Sequence, residues 1–119
     1  MKNYYASKRL VDYCKTIVKD PDVIMDVYDQ SFEWASDRAA EILGFSHEEL
    51  ASKRVMDLRV KNKSDIEDLM EHTAKKDYID NFPMKTKNGK TIIVNARVVY
   101  VEFEKNPYQI VKVIKIITE

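Results

Sequence analysis

The 119-residue sequence holds few of the residues from which disulfides and phosphate-binding loops are built. Its one cysteine, Cys14, cannot form an internal disulfide, and its two glycines, Gly44 and Gly89, are too few for a Gly-rich phosphate loop. No uncharged run approaches the roughly 20 residues that a membrane-spanning helix needs. The amino terminus becomes charged again at Lys8, where a signal peptide would be apolar. We therefore expect a cytoplasmic protein without a membrane anchor.

Charge of neither sign dominates the chain. Lys and Arg together number 20, Asp and Glu together number 20, and the formal net charge is zero. Because there is no overall electrostatic field, we expect neither nucleic acid nor an anionic membrane as a partner. With 45% hydrophobic residues, a chain of this length can bury about two thirds of its unfolded surface around one core.

The first 22 residues predict an amphipathic helix that caps the rest of the chain. Apolar residues recur at helical spacing from Leu10 to Val18, with charged residues between them. The pair Asp20-Pro21 ends this helix. We expect residues 1–22 to form the cap and residues 23–119 to form one domain.

The middle of the chain contains explicit start and stop signals for short helices. Ser36 is placed to cap a helix that Gly44 ends. Ser46 and Glu49 have the spacing of a capping box, and the same spacing recurs at 64–67, where a longer helix is expected to begin.

Apolar residues alternate with a period of two in the remaining segments, which predicts β-strands. The expected strands are 23–28, 32–35, 78–87, 90–104 and 108–118. Asn88-Gly89 and Asn106-Pro107 supply the turns between the last three strands. The sequence therefore predicts an α+β fold with a mostly antiparallel sheet.

Two segments resemble the PAS family of signal-transduction domains. The stretch 35–50, ASDRAAEILGFSHEEL, and the stretch 87–96, KNGKTIIVNA, match the family's helical region and hairpin, and the likeness extends over about 23–118. The resemblance implies a five-stranded antiparallel sheet with short helices over one face and an amphipathic helix before it. Ser36 stands where many members have Asn. Ile116 stands where many have the Asp of a junction to an output domain, so the usual route of signal exit is not matched.

The resemblance also implies that the concave face of the sheet and the helices enclose a space for a ligand. A mainly apolar lining favours a small hydrophobic or aromatic ligand. The same residues can instead pack into a solid core. The candidate pocket residues are Trp34, Ser36, Leu43, Met56, Leu58, Leu69, Met70, Tyr78, Phe82, Met84, Val94, Ala96, Val98 and Tyr100.

The opposite face of the long strand is also apolar and needs a cover. The leading helix and a second copy of the chain are the two candidates, and the resemblance favours homodimers formed through these elements. The candidate interface residues are Leu10, Cys14, Ile17, Val18, Ile93, Val99, Val101 and Phe103.

The sequence requires no cofactor and contains no catalytic motif. Some PAS domains bind haem through a histidine of their long helix, and His72 lies near the matching position of this sequence. The charged residues around His72 indicate that it faces solvent, which argues against a haem ligand. Flavin-binding light sensors of this superfamily carry a reactive cysteine on the helix after the capping box. This sequence has no cysteine there, so covalent flavin photochemistry is excluded. Metal-ligand clusters and nucleophile motifs are missing from the sequence, so we expect no enzymatic activity.

Two functions remain open. The first is a sensory PAS module, in which a small ligand or partner changes the helix–sheet packing and the dimer arrangement. Such a module can be the sensor part of a histidine kinase or another signalling protein, with an output domain or a partner kinase. The alternative is a ligand-free protein–protein interaction or dimerisation module with a solid core.

Overall fold

A computed structural model of the chain describes residues 8–58 and 78–118. The described helices are α1 (Lys8–Ile17), α2 (Asp37–Leu43) and α3 (His47–Ala51), followed by a short 3₁₀ turn at Val55–Leu58. The described strands are β1 (Val23–Asp26), β2 (Phe32–Ala35), β3 (Tyr78–Lys85), β4 (Thr91–Phe103) and β5 (Asn106–Thr118). The second predicted capping box, at 64–67, lies outside the described residues.

The five strands form one sheet in the order β2-β1-β5-β4-β3, and every neighbouring pair is antiparallel. The long strands β4 and β5 lie in the middle, and α2 and α3 pack on one face of the sheet. This α+β architecture confirms the fold class expected from the sequence. The chain reversals that connect its strands differ from the expected ones at two turns.

The β4–β5 turn lies two residues earlier than the sequence indicated. Glu104 and Lys105 occupy the left-handed region, with φ of 49° and 70°, and Asn106 already pairs with Phe103 in the ladder. Two consecutive left-handed residues make a two-residue turn whose twist matches that of the strands. The expected turn at Asn106-Pro107 is therefore corrected to Glu104-Lys105.

The β3–β4 turn has three residues instead of two. The backbone N–H of Thr86 donates to the carbonyl of Lys90 at 2.8 Å, and only Gly89 has positive φ, at 84°. A left-handed glycine at the third loop position is typical of a three-residue hairpin. Asn88 is thus not left-handed, contrary to the expectation from the sequence.

Local side-chain hydrogen bonds define the starts of α2 and α3 and confirm the predicted caps. The Ser36 Oγ accepts from the Ala39 N–H at 3.0 Å. Ser46 Oγ accepts from the Glu49 N–H at 3.1 Å, and Glu49 Oε1 accepts from the Ser46 N–H at 2.9 Å. Gly44 ends α2 with φ of 78°, and its N–H donates to a carbonyl of the last turn. These short helices are therefore held by their caps as well as by packing.

The helix α1 covers part of the outer face of the sheet. Its apolar stripe and the strand residues beneath it form the outer cluster, which consists of Leu10, Val11, Cys14, Val18, Ile24, Val101 and Ile110, flanked by Trp34, Val99, Phe103 and Tyr108. Cys14, Ile24 and Ile110 are fully buried there. The core on the inner face is separate from this cluster, so the sheet has a packed layer on each side.

A buried carboxylate joins α2 to β5. Asp22 is 2% exposed, and its Oδ2 accepts from the Val113 N–H at 2.8 Å. Its Oδ1 accepts from the Ser36 hydroxyl at 3.0 Å. The Arg38 guanidinium lies 3.8 Å from Oδ2 and donates to the Val113 carbonyl at 3.2 Å. This network fixes the start of α2 against the strand that lies beneath it.

Candidate functional site

A small apolar cavity of about 90 Å³ lies between the inner face of the sheet and α2. All the strands contribute to its wall, since inner positions of each strand face the helices. The lining residues are Val23, Met25, Phe32, Ala39, Ile42, Leu43, Val55, Ile79, Phe82, Met84, Val94, Ala96, Val98, Gln109, Val111 and Val113.

The alternation of β4 builds one wall of the cavity. Val94, Ala96 and Val98 point inward and are each no more than 6% exposed, because every second residue of a strand shares a face. Ala39 on α2 and Ala96 on β4 carry only a methyl group each. Short side chains in both the helical and the sheet wall leave space between the two layers.

Six of the predicted pocket residues line this cavity: Leu43, Phe82, Met84, Val94, Ala96 and Val98. Leu58 is buried in the same core but does not contribute to the lining. Leu69 and Met70 lie outside the described residues, as does the side chain of Met56. Their part in the pocket stays a prediction.

Trp34 lies on the face opposite to the cavity. Residues Ile24 and Met25 of β1 pair with Trp34 and Phe32, so Glu33 is an extra residue at a β-bulge. The bulge breaks the alternation, and Phe32 points to the cavity while Trp34 packs on the outer cluster. The Lys15 ammonium lies 5.4 Å from the centre of the indole ring. The expected pocket position of Trp34 is therefore corrected to a contact with α1.

Another bulge places Tyr78 away from the cavity. Residues 80 and 81 of β3 together oppose Asn95, so Ile79 shares the inner face with Phe82, and Tyr78 shares the outer face with Arg97. Tyr78 is 55% exposed. Its expected inward position rested on unbroken alternation along β3, which the bulge interrupts.

Tyr100 and Ser36 also lie outside the cavity lining. Tyr100 shares the inner face of β4 with Val98, but the described part of β3 begins opposite Arg97 and does not reach it. Tyr100 is 51% exposed. Ser36 is occupied at the cap of α2, where it bonds to Asp22 and Ala39. The polar groups expected from these two residues are therefore not available to a ligand in this cavity.

Sequence reasoning missed Gln109, which is the one polar residue among the described residues that line the cavity. It lies on β5 between Tyr108 and Ile110, which both contact the outer cluster, and it is 3% exposed. The period-two pattern that Gln109 shares with Val111 and Val113 was the signal that could have found it. The inward and outward faces had been predicted for β4 but not for β5.

Most of the predicted interface residues pack within the chain. Leu10, Cys14, Val18 and Val101 are buried in the outer cluster, and Val99 and Phe103 pack against it. Ile17 is 39% exposed at the end of α1. Ile93 lies at the other end of β4, between Pro83 and Ile117, beyond the reach of α1. The homodimer itself stays a prediction.

The titratable groups of the described residues lie away from the cavity. Each lining side chain that the structure describes is uncharged, so a charged ligand would lose its hydration without gaining a partner from them. Burial raises the pKa of the Cys14 thiol to about 11, which keeps it protonated and unreactive at neutral pH. Covalent chemistry at this cysteine is therefore disfavoured.

Within residues 8–58 and 78–118, no group of three or more His, Cys, Asp or Glu side chains is arranged to hold a metal ion. Over the same residues, the helices are too short and too polar to cross a membrane. His72, the histidine considered for haem, lies outside the described part of the chain.

Comparison with protein-family models and with curated proteins found no match. Solved structures, in contrast, match over most of the chain. A PAS domain from Desulfitobacterium hafniense superposes with a TM-score of 0.68 and 22% identity, over 87% of this chain and 99% of the other. A PAS domain from a two-component sensor histidine kinase gives 0.66 and 13%, over 90% and 98%. The PAS domain of the fruit-fly ELK potassium channel gives 0.63 and 16%, over 87% and 96%.

The fold and the cavity together define an α+β domain with a five-stranded antiparallel sheet and helices packed over its inner face. The matched structures identify this architecture more narrowly. The chain has the PAS fold, in agreement with the resemblance seen in the sequence.

Proposed function

We propose that this chain is a sensory signal-transduction module that responds to a small ligand by changing the packing of helices on the sheet. The apolar cavity between α2 and the inner face of the sheet carries this proposal. Protein interiors are usually packed as densely as crystals of small organic molecules. Close packing alone therefore does not account for an apolar cavity in this domain. PAS domains of similar fold occur in a sensor histidine kinase and in a potassium channel, which supports a signalling context.

The proposed ligand is small and mainly apolar. An apolar cavity of roughly 150 Å³ holds one benzene molecule. The volume here is about 90 Å³, which suits a smaller hydrophobic or aromatic compound. A larger one would have to displace α2 outward, and this displacement is the proposed signal.

The proposed route out of the cavity runs through β1 and β5. Met25 and Val111 line the cavity, whereas their neighbours Ile24 and Ile110 are fully buried against α1. Adjacent residues on these two strands therefore contact the ligand space on one face and α1 on the other. A ligand that binds one arrangement of α1 more tightly than another shifts the population between them.

The proposal is tested by filling the cavity. Ala39→Leu places a larger side chain in the space that the ligand would occupy, whereas Ala51→Leu makes the same change on α3, outside the lining. Thermal-shift measurements with benzene and smaller aromatic compounds should show stabilisation of the wild type and of Ala51→Leu, with the effect lost in Ala39→Leu. Equal stabilisation of all three proteins would refute binding in this cavity.

The second candidate is a ligand-free interaction or dimerisation module. Its support is the exposed apolar side chains at the end of α1 and on β5, where Ile17, Ile114 and Ile117 are 39%, 57% and 41% exposed. We propose a homodimer that buries part of this surface. Sedimentation equilibrium decides between a dimer and a monomer, and the sensory proposal further predicts that ligand shifts this equilibrium. A dimer that is indifferent to every cavity ligand would favour the second candidate.

We propose further that the module works in the cytoplasm, has no catalytic activity of its own, and acts on an output domain or a partner kinase. Residues 1–22 would serve as its helical cap and 23–119 as the sensory domain. Support for the division comes from α1, which lies in a cluster separate from the inner core.

A further inference from the structure

The helix α1 covers only one end of the outer face of the sheet. Every second residue of β4 shares this face, from Val99, which packs against the outer cluster, to Ile93 near the other end of the strand. Directly opposite residues of antiparallel strands lie on the same side of a sheet, so their partners on β5 share the face. The part beyond α1, here called the cationic patch, consists of Ile93, Asn95, Arg97, Lys112, Lys115 and Ile117.

The cationic patch carries three positive charges. Arg97 lies directly opposite Lys112, and Asn95 lies directly opposite Lys115. The Lys112 ammonium donates to the backbone carbonyl of Asp20 at 2.8 Å, which is an uncharged acceptor. Among the described residues, no carboxylate forms an ion pair with Arg97, Lys112 or Lys115. The described part of the chain therefore leaves these charges unbalanced.

The pairing of Arg97 with Lys112 is unfavourable for the fold by itself. Like charges directly opposite each other on antiparallel strands destabilise a sheet. A carboxylate in place of either residue would turn this repulsion into an attraction. An anionic partner would have the same effect from outside, because both cations would attract the same negative group.

Exposed apolar side chains lie beside the three cations. Ile117 is 41% exposed, and Ile114, the extra residue at the bulge of β5, is 57% exposed. Tyr78 lies opposite Arg97 on β3 and is 55% exposed. A partner that only balanced the charge would leave these side chains in water. The surface therefore favours a partner that has both negative charges and apolar side chains.

We propose that the cationic patch docks an acidic amphipathic helix of a partner protein. The packing of α1 shows that this face of the sheet accepts a helix through an apolar stripe, and a second helix beside it would extend the same layer. The partner is the output domain or kinase of the proposed function, on which this inference rests, and the ligand cavity takes no part in it.

Other occupants fit the cationic patch less well. In a two-fold dimer the same surface of each copy faces the other, so the three cations of one copy would meet the three cations of its partner. The chain has a formal net charge of zero, so it has no overall attraction to an anionic membrane or to nucleic acid.

The test uses a helical peptide of about 18 residues, made of glutamate with leucine at every third or fourth position. A control peptide has lysine in place of each glutamate. We expect the wild type to bind the acidic peptide and not the basic one, with an affinity that falls as salt is added. Arg97→Glu should bind the acidic peptide about tenfold more weakly. Lys105→Glu makes the same change of charge on the exposed β4–β5 turn, at the far end of β4, and should leave the affinity unchanged.

Thermal unfolding separates a lost docking surface from a lost fold. Arg97→Glu places a carboxylate opposite Lys112, so its melting temperature should be no lower than that of the wild type. Weaker peptide binding by a variant of equal or greater stability would support the docking of an acidic helix.

Equal affinity of the wild type and Arg97→Glu for the acidic peptide, or no binding by the wild type, would overturn the proposal. Two further results would also overturn it by assigning the patch to another occupant. The first is binding to phosphatidylcholine vesicles that contain phosphatidylserine, without binding to the peptide. The second is a wild-type homodimer, seen by sedimentation equilibrium, that excludes the peptide. The thermal-shift comparison of Ala39→Leu with Ala51→Leu tests the cavity separately, so failure of the docking surface is distinguishable from failure of the ligand site.

Discussion

Replacement of Asp22 by alanine tests whether the buried carboxylate holds α2 against β5. In the wild type its two oxygens accept from the Val113 N–H at 2.8 Å and from the Ser36 hydroxyl at 3.0 Å. Asp22→Ala removes both acceptors while Val113, 8% exposed, stays buried. The cap of α2 itself survives, since Ser36 still accepts from the Ala39 N–H.

The expected loss follows from the groups left without partners. An unsatisfied buried backbone N–H destabilises by about 1–3 kcal/mol, and a hydrogen bond to a charged group contributes about 1.5–3 kcal/mol. Arg38 adds little, because its side chain is 49% exposed and can turn to water. We expect Asp22→Ala to lower the free energy of unfolding by about 3 kcal/mol, or the melting temperature by roughly 12 °C.

Urea denaturation measures this loss, with two comparison variants. Asp22→Asn keeps one carbonyl oxygen for the Val113 N–H and should lose only about 1 kcal/mol. Asp12→Ala removes a carboxylate that is 58% exposed and pairs with Lys8, so we expect a change within about 0.5 kcal/mol. If Asp22→Ala loses no more than Asp12→Ala, the carboxylate does not hold α2 in place.

Two further predictions concern α1 and the surface pair of α3. Leu10 is 2% exposed, and Leu10→Ala should lower the free energy of unfolding by about 2–4 kcal/mol in urea denaturation. Ile17 is 39% exposed, and Ile17→Ala should lower it by less than about 1 kcal/mol. Equal losses in the two variants would contradict the docking of α1. The Lys87 ammonium, 2.8 Å from Glu49, and the Ser46 N–H together lower the Glu49 pKa to about 2. This pair therefore stabilises the fold above the ordinary carboxyl pKa near 4.5 and loses its effect as pH falls toward 2. Lys87→Met should raise the Glu49 pKa measured by NMR, and an unchanged value would refute the pairing.

Local signals in the sequence predicted the caps and the face of the long strand. Ser36, Ser46 and Gly44 act within four residues of their partners, so their roles follow from spacing alone. The inward set Val94, Ala96 and Val98 followed from a period of two, which holds over this part of β4.

The errors arose where a strand contains an extra residue. Glu33 and the pair 80–81 form bulges, and each bulge exchanges the two faces for the residues beyond it. Trp34 and Tyr78 were assigned to the wrong face of the sheet for this reason. A bulge depends on the partner strand, which no local pattern in the sequence reveals.

Contacts between distant parts of the chain could not be predicted from local sequence patterns either. Asp22 accepts from the N–H of Val113, which is 91 positions away. Gln109 is separated from Ala39 on α2 by most of the domain, although both line the same cavity. Nothing near Asp22 distinguishes it from an ordinary surface carboxylate, whereas the alternation on β5 places Gln109 on the same face as Val111 and Val113.

A crystal structure determined under xenon pressure tests the central claim most directly, since xenon enters apolar cavities without needing hydrogen bonds. The account predicts xenon density between α2 and the inner face of the sheet, in contact with Ala39, Val94 and Ala96. A well-occupied xenon site elsewhere, with protein atoms filling the space between these three residues, would contradict it.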